Sequence, residues 1–213
     1  MRVLGIDEAG RGCVLGSLAI GAFIPSVSDD ALREAGVDDS KRLSAKRREA
    51  IAAALRDMGE GEVRLVTAAE IDAGNLNHLE EAVIIDLIRT LRPDRVILDA
   101  LGHPRTLPAL CQRLARAIGP HAPPILARPK ADADFPAVGA ASILAKVRRD
   151  AELAAHQAEH EPFGSGYPSD PKTRRWLQAR LAEGSLPPFV RTRWGTLDAL
   201  RQQALAASAG SLS

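Results

Sequence analysis

Four carboxylates stand where short β-like runs stop. Asp7 and Glu8 follow the apolar residues 3–6, Asp99 follows 96–98, and Asp132 lies just beyond 125–128. A single acid in such a place is an ordinary turn former or helix cap. Four at one end of a sheet repel one another and need cations. Oxygen-only donors select Mg²⁺ or Mn²⁺ over zinc. In open α/β sheets, sites form in the crevice beyond the carboxyl ends of the strands. A pair of such ions roughly 3.5–4 Å apart is a recurring device for phosphodiester hydrolysis, one lowering the pKa of the attacking water and the other stabilising the leaving oxygen.

Other residues have weaker signals. The turn Gly10-Arg11-Gly12 sits beside the first two acids, and its glycines would let backbone N–H groups approach a phosphate or sugar. It could equally be a plain hairpin loop. Lys41 closes the loop Asp38-Asp39-Ser40-Lys41, where it could meet a phosphate. Lys146, Arg148 and Arg149 on a long Ala-rich helix read as a solvated face from charge alone. Tyr167, the one tyrosine, sits in a Gly/Pro loop at residues 162–168. His156 to His160 matches the H-x-x-E-H pattern of some zinc peptidases, but Pro162 ends the helix at once and no third-ligand helix follows.

These residues need a scaffold to position them. The 213 residues suit one domain, at ~150 per domain. An apolar share of 46% with 26% charged excludes a wholly disordered chain. Two cysteines far apart exclude a disulfide scaffold and suit a reducing cytoplasm. Acids and Arg11 near the start argue against a secretory signal. The absence of a long apolar run argues against a membrane span. Aromatics at 3% argue against broad base-stacking surfaces. Between Asp57 and Asp86 there are eight acids and one base, and between Lys172 and Arg201 seven bases and two acids. The basic stretch could hold a phosphate backbone or be a solvated helix face.

The pattern reads as strands at 2–7 and 17–24 forming a hairpin, a polar connection at 25–41, and a helix at 45–58 capped by Ser44. A strand at 62–66 and a capping box at Thr67–Glu70 follow. A helix capped at Asn77 then runs to 91, with a strand at 95–99, a helix from Thr106 to Gly119, and a strand at 125–128. The long helix spans 136 to about 160, Asp170-Pro171 caps another, and a last one begins near Thr196. The expected fold is a mixed α/β sheet flanked by helices, with a helical C-terminal extension. The expected units are 1–160, 161–205, and a flexible tail at 206–213.

The motifs Gly5 to Gly12 (GIDEAGRG), Asp39-Ser40-Lys41, Leu98-Asp99-Ala100, Lys130-Ala131-Asp132, Ala140 to Val147 (AASILAKV) and Gly164 to Asp170 (GSGYPSD) together resemble the ribonuclease HII family. They occur in that family's order from Gly5 to about Trp194. The long stretch between Asp99 and Asp132 resembles archaeal-type members. The resemblance implies an RNase H-like fold and an endoribonuclease that degrades RNA in RNA–DNA hybrids. It also implies cleavage 5′ to ribonucleotides embedded in duplex DNA, giving 5′-phosphate and 3′-hydroxyl ends.

By the same resemblance, Asp7, Glu8, Asp99 and Asp132 bind two divalent ions, Mn²⁺ or Mg²⁺. Gly10, Arg11 and Gly12 read the 2′-hydroxyl, and Tyr167 packs on the following deoxyribose, with Lys41 and Lys146 as further substrate contacts. The implied protein is a cytoplasmic monomer whose partners are hybrids and ribonucleotide-containing DNA, with no membrane. Another RNase H-like nuclease, such as a junction resolvase, is the alternative. Cys13 and Ser17 stand where the family usually has proline, which puts the rigidity of the turn in question. The tail shows no sliding-clamp-binding peptide.

Overall fold

A computed structural model describes residues 1–37, 43–100 and 104–210, with side chains to residue 203. Lys41 and its loop lie outside the described residues, as does His103. Five strands, β1 (Val3–Ala9), β2 (Leu18–Pro25), β3 (Gly59–Val66), β4 (Arg95–Asp99) and β5 (Ile125–Arg128), form one sheet in the order β3-β2-β1-β4-β5. β1, β2 and β3 pair antiparallel, while β1, β4 and β5 pair parallel, so the front hairpin makes the sheet mixed as expected. The helices are α1 (Asp29–Glu34), α2 (Ala45–Leu55), α3 (Ala68–Ala73), α4 (Leu76–Leu91), α5 (Leu107–Ile118), α6 (Ala131–Asp134), α7 (Pro136–Glu159), α8 (Pro171–Ala182) and α9 (Gly195–Gly210). No helix among the described residues is long and apolar enough to cross a membrane.

Period-2 alternation divides the sheet's faces. Leu4 and Ile6 of β1, with Leu18, Ile20, Ala22 and Ile24 of β2, pack against Ile84, Leu87 and Ile88 of α4 and Leu114 of α5. Burying an aliphatic side chain of this size adds about 1.5–3 kcal/mol. The other face meets α7. Here the helix backbone approaches so closely that a Cβ on Gly5 would stand 2.2 Å from the Ala137 carbonyl carbon, and one on Gly21 2.2 Å from the Ala141 oxygen. Glycine in the strands and alanine in the helix therefore seat α7 directly on β1 and β2. A third cluster joins Phe163, Trp176 and Val190 of the C-terminal region to Val14, Leu15 and Leu153. Those C-terminal segments share a core with the N-terminal loop and the long helix.

Several boundaries differ from the expectation. The connection at 25–41 contains α1, capped by Ser28, whose side chain accepts from the Ala31 N–H. β3 begins at Gly59 because the ladder with β2 continues to the Gly59–Pro25 pair, where only a glycine clears the Ile24 oxygen. Helix α4 is capped by Asn75, which accepts from the N–H groups of Asn77 and His78. Asn77 is inside the helix. The last helix continues to Gly210, into the expected tail.

Candidate active site

Asp7 lies on β1 between Gly5 and Ala9, so its side chain shares their face and points toward α7. It receives a hydrogen bond from Ser142 on α7, and its Oδ1 accepts from the Glu8 N–H at 2.8 Å. Lys146, one turn after Ser142, donates to the Ser142 hydroxyl at 2.7 Å and stands close enough to Asp7 to favour its ionised form. The parallel register pairs Ile6 with Leu98, so one step on Asp7 and Asp99 lie side by side at the sheet's end. Lys130 takes a left-handed backbone (φ 59°) that turns the chain from β5 into α6. This brings Asp132 back to the site, and the Ala131 N–H bonds Asp99 Oδ1 at 3.3 Å.

Asp7, Asp99 and Asp132 each offer a carboxylate oxygen within 4.8 Å of the others, the one such group of potential ligands among the described residues. Glu8 lies outside this trio because alternation puts it on the opposite face of β1. Its carboxyl is still close enough for Asp7 and Asp99 to act on it. Burial, joined by those two negative charges, raises the Glu8 pKa to about 8. Burial chiefly raises that of Asp7 to about 6, against the pull of the Ser142 bond. Crowded carboxylates with no sulfur or imidazole among them, two of them resisting ionisation, fit hard divalent cations and suit no softer metal.

Raised carboxyl affinities have a definite sign in stability. Between the ordinary values of 3.8 and 4.5 and the folded values of about 6 and about 8, the folded protein holds protons the unfolded chain has released. Metal-free protein therefore loses stability as the pH rises through that window. Thermal melts in chelator should show this fall. Glu8→Gln should flatten it, and Mn²⁺ should raise the melting temperature more at the alkaline end than at the acid end. A metal-free melting temperature that ignores pH across the window would remove the carboxyl crowding on which this rests.

Beyond the acids, Gly10 has φ +86° and is wedged against Arg149, whose Nε an added Cβ would meet at 2.5 Å. Nothing lies within 4 Å of a Cβ at Gly12, which is exposed. The Arg11 side chain turns away from the turn to Asn77 and Glu80 of α4. Tyr167, 41% exposed, has its ring over the Arg149 guanidinium at 5.2 Å from the centroid, with its hydroxyl near Cys13. The turn and the Tyr167 loop thus meet at Cys13 and Arg149, and Lys146 stands beside Asp7.

The solvated-face reading holds for the exposed Arg148 but not for Arg149 or Arg191. Arg149 is buried, its Nη2 bonded to Cys13 Sγ at 2.9 Å and to the Ser165 carbonyl at 3.0 Å. In the basic stretch, Arg191 is fully buried. Arg193 bonds the Asp72 carbonyl, and Arg180 pairs with Glu183 and Glu161. Lys172 and Arg175 in the first turns of α8 are exposed, as are Arg193 and Arg201. His156 and His160 pack on Phe189, their centroids 4.2 and 5.1 Å from its ring, and belong to no cluster of metal ligands among the described residues. Ser142, Arg149 and Arg191 join the expected residues at or beside the site. The spacing of four from Lys146 marks Ser142, whereas charge alone does not tell the buried Arg149 and Arg191 from exposed arginines.

The sequence pattern of the family described as ribonuclease HII matches residues 4–197. Ribonuclease HII of Archaeoglobus fulgidus is 39% identical over 206 residues, covering 94% of this chain and 97% of that protein. A structure titled as the PCNA:RNase HII complex from the same organism superposes with a TM-score of 0.85 at 38% identity, covering 93% of this chain and 96% of that one. That title names a protein partner, PCNA. Bst-RNase HIII, solved with Mn²⁺, shares the fold at 18% identity with a TM-score of 0.71, covering 96% of this chain and 70% of that one.

Proposed function

The chain belongs to the ribonuclease HII family and is a type II ribonuclease H, and from that premise we propose that it cleaves RNA in RNA–DNA hybrids and cuts 5′ to a ribonucleotide embedded in duplex DNA. The products would carry 5′-phosphate and 3′-hydroxyl ends. The observation that carries this reading is the Asp7–Asp99–Asp132 trio, with Glu8 beside it, next to a glycine turn open enough for a sugar. The family match over residues 4–197 sets aside the junction resolvase.

Asp7, Glu8, Asp99 and Asp132 would hold two divalent ions, Mn²⁺ or Mg²⁺, which when bound supply an activated water and offset charge developing on the scissile phosphate. The chain's own residues do the rest. Ser142 and the Glu8 N–H fix the Asp7 carboxylate, and the Ala131 N–H fixes that of Asp99. The Lys146 ammonium adds positive charge where the phosphate backbone must approach those acids. The exposed turn at Gly12 offers backbone to a 2′-hydroxyl, the local difference between ribose and deoxyribose. Tyr167 offers a ring face to the next sugar. Lys41 remains a proposed phosphate contact on the resemblance alone.

A duplex with one embedded ribonucleotide, incubated with Mn²⁺, Mg²⁺ or EDTA, tests the reading. The expected result is a single cut on the 5′ side with either metal and none in EDTA. An intact substrate under both metals would overturn it. Lys172 and Arg175 should act through phosphates and not bases. Their double reversal to glutamate should weaken all duplexes alike and lower the slope of log affinity against log salt by about one per lost contact. A loss confined to one base sequence would contradict this.

A further inference from the structure

We propose that Arg191 is a positioning residue whose buried guanidinium holds the Gly10–Gly12 turn in the shape that discriminates a single ribonucleotide. The proposal rests on the reading of that turn given above. Arg191 has no solvent exposure. Its three kinds of N–H reach three backbone carbonyls: Nη2 to Gly10 at 2.7 Å, Nη1 to Arg11 at 2.9 Å and Nε to Gly16 at 2.9 Å. These acceptors lie at the two ends of one loop, some 175 to 181 residues away in sequence. The planar guanidinium fork matches such a divergent set, where a lysine ammonium does not.

The segment that carries Arg191 is itself anchored. Its N–H bonds the Val14 carbonyl at 2.9 Å, Gly16 N–H bonds the Phe189 carbonyl at 2.8 Å, and Leu15 and Val190 form an antiparallel bridge. Asp72 then accepts from the Thr192 N–H and hydroxyl at 2.6 and 2.7 Å. The turn's other side is packed against Arg149, which also touches the Tyr167 loop at Ser165. Gly10 is therefore in contact with two buried guanidiniums, one from α7 and one from the C-terminal segment, and the latter also holds the Arg11 carbonyl.

A cation held by three carbonyls and the face of the Trp194 ring, 5.0 Å from its centroid, with no carboxylate among the described residues bonded to it, is costly to bury. Burial pulls the Arg191 pKa down to about 10, so it remains charged at neutral pH. The apolar cluster around Phe189 and Val190 already fastens this segment to Leu15. What the guanidinium adds is the position of two carbonyls in the turn. A small misplacement of groups that orient a substrate costs up to about a hundredfold in rate. An embedded ribonucleotide has one correct register, whereas a continuous hybrid has many.

The test compares wild type, Arg191→Gln, Arg191→Lys and Asp72→Ala on two duplexes, one with a single embedded ribonucleotide and one a continuous RNA–DNA hybrid. Arg191→Gln should lower the ratio of kcat/KM values, single over hybrid, by about tenfold or more. Arg191→Lys should recover part of that loss. The Mn²⁺-induced rise in melting temperature should match wild type in both, which shows the carboxylates undisturbed. Equal losses on both duplexes, or an unchanged ratio, would overturn the proposal. If Arg191→Gln does not fold, Asp72→Ala decides: it loosens the same segment from the surface and should lower the ratio in the same direction, and an unchanged ratio would sink the idea. A wild-type enzyme that cuts the hybrid but not the single ribonucleotide would instead overturn the functional reading beneath it.

Discussion

Asp7→Asn and Asp99→Asn should each reduce cleavage by at least about a thousandfold while leaving fold and duplex binding intact, since bound divalent cations supply several kcal/mol of charge stabilisation and each 1.4 kcal/mol is tenfold in rate. Asparagine keeps the volume and one carbonyl oxygen. The Glu8 N–H can still bond residue 7, and the Ala131 N–H can still bond residue 99. What disappears is one negative charge from a trio whose oxygens lie within 4.8 Å of one another. Repulsion between the site and a phosphate backbone falls as well, so affinity for uncut duplex should be equal to wild type or higher. Turnover measured in Mg²⁺, together with binding measured in EDTA, checks both halves. Near-normal turnover in either variant would take that residue out of the catalytic set.

The second large effect is one of selectivity. Tyr167→Ala should lose about ten- to a hundredfold on a single embedded ribonucleotide, the equivalent of ~1–3 kcal/mol for one lost stacking-type contact, and far less on a continuous hybrid. The ring is neither core nor loose. It is 41% exposed, has Arg149 beneath one face, and has its hydroxyl near Cys13. One face is thereby braced and the rest is left toward solvent. Tyr167→Phe keeps the ring and removes only the hydroxyl beside Cys13, so it should stay near wild type on both substrates. Equal losses for Tyr167→Ala on the two duplexes would mark a fold defect. No loss on either would remove the ring from the site.

Cys13 links these two recognition elements. Its thiol touches Arg149 and Tyr167, and burial pushes its pKa up, so it packs as a neutral group. Its N–H also bonds the Gly10 carbonyl at 3.2 Å, a bond that a proline could not make, so side chain and backbone both hold the loop after Gly12.

Much of the site was legible because its signals act over a few residues. A β-branched run that stops at an acid announces a strand end, and parallel strands ending together put Asp7 beside Asp99. The capping box at Thr67 and Glu70 and the caps at Ser44 and Asp170 appear where their side-chain chemistry required. The cap is Asn75 and not the expected Asn77, because both are capping types two residues apart and only backbone geometry distinguishes them. The same alternation that revealed the strand also separates Glu8 from the trio, which a list of acids cannot show.

Sequence by itself determined the mixed sheet, the long alanine-rich helix, and the strand-end acids Asp7, Asp99 and Asp132 that cluster, because period, caps and residue type encode these locally. Tertiary structure alone decided which cations face solvent. Lys172 and Arg191 are alike as charges in a basic stretch, yet one is exposed and the other lies wholly inside. The acceptors that make Arg191 tolerable are backbone carbonyls of Gly10, Arg11 and Gly16. Every residue has a carbonyl, so no side-chain identity marks those that will meet a guanidinium from the far end of the chain, and only the folded path brings them within reach.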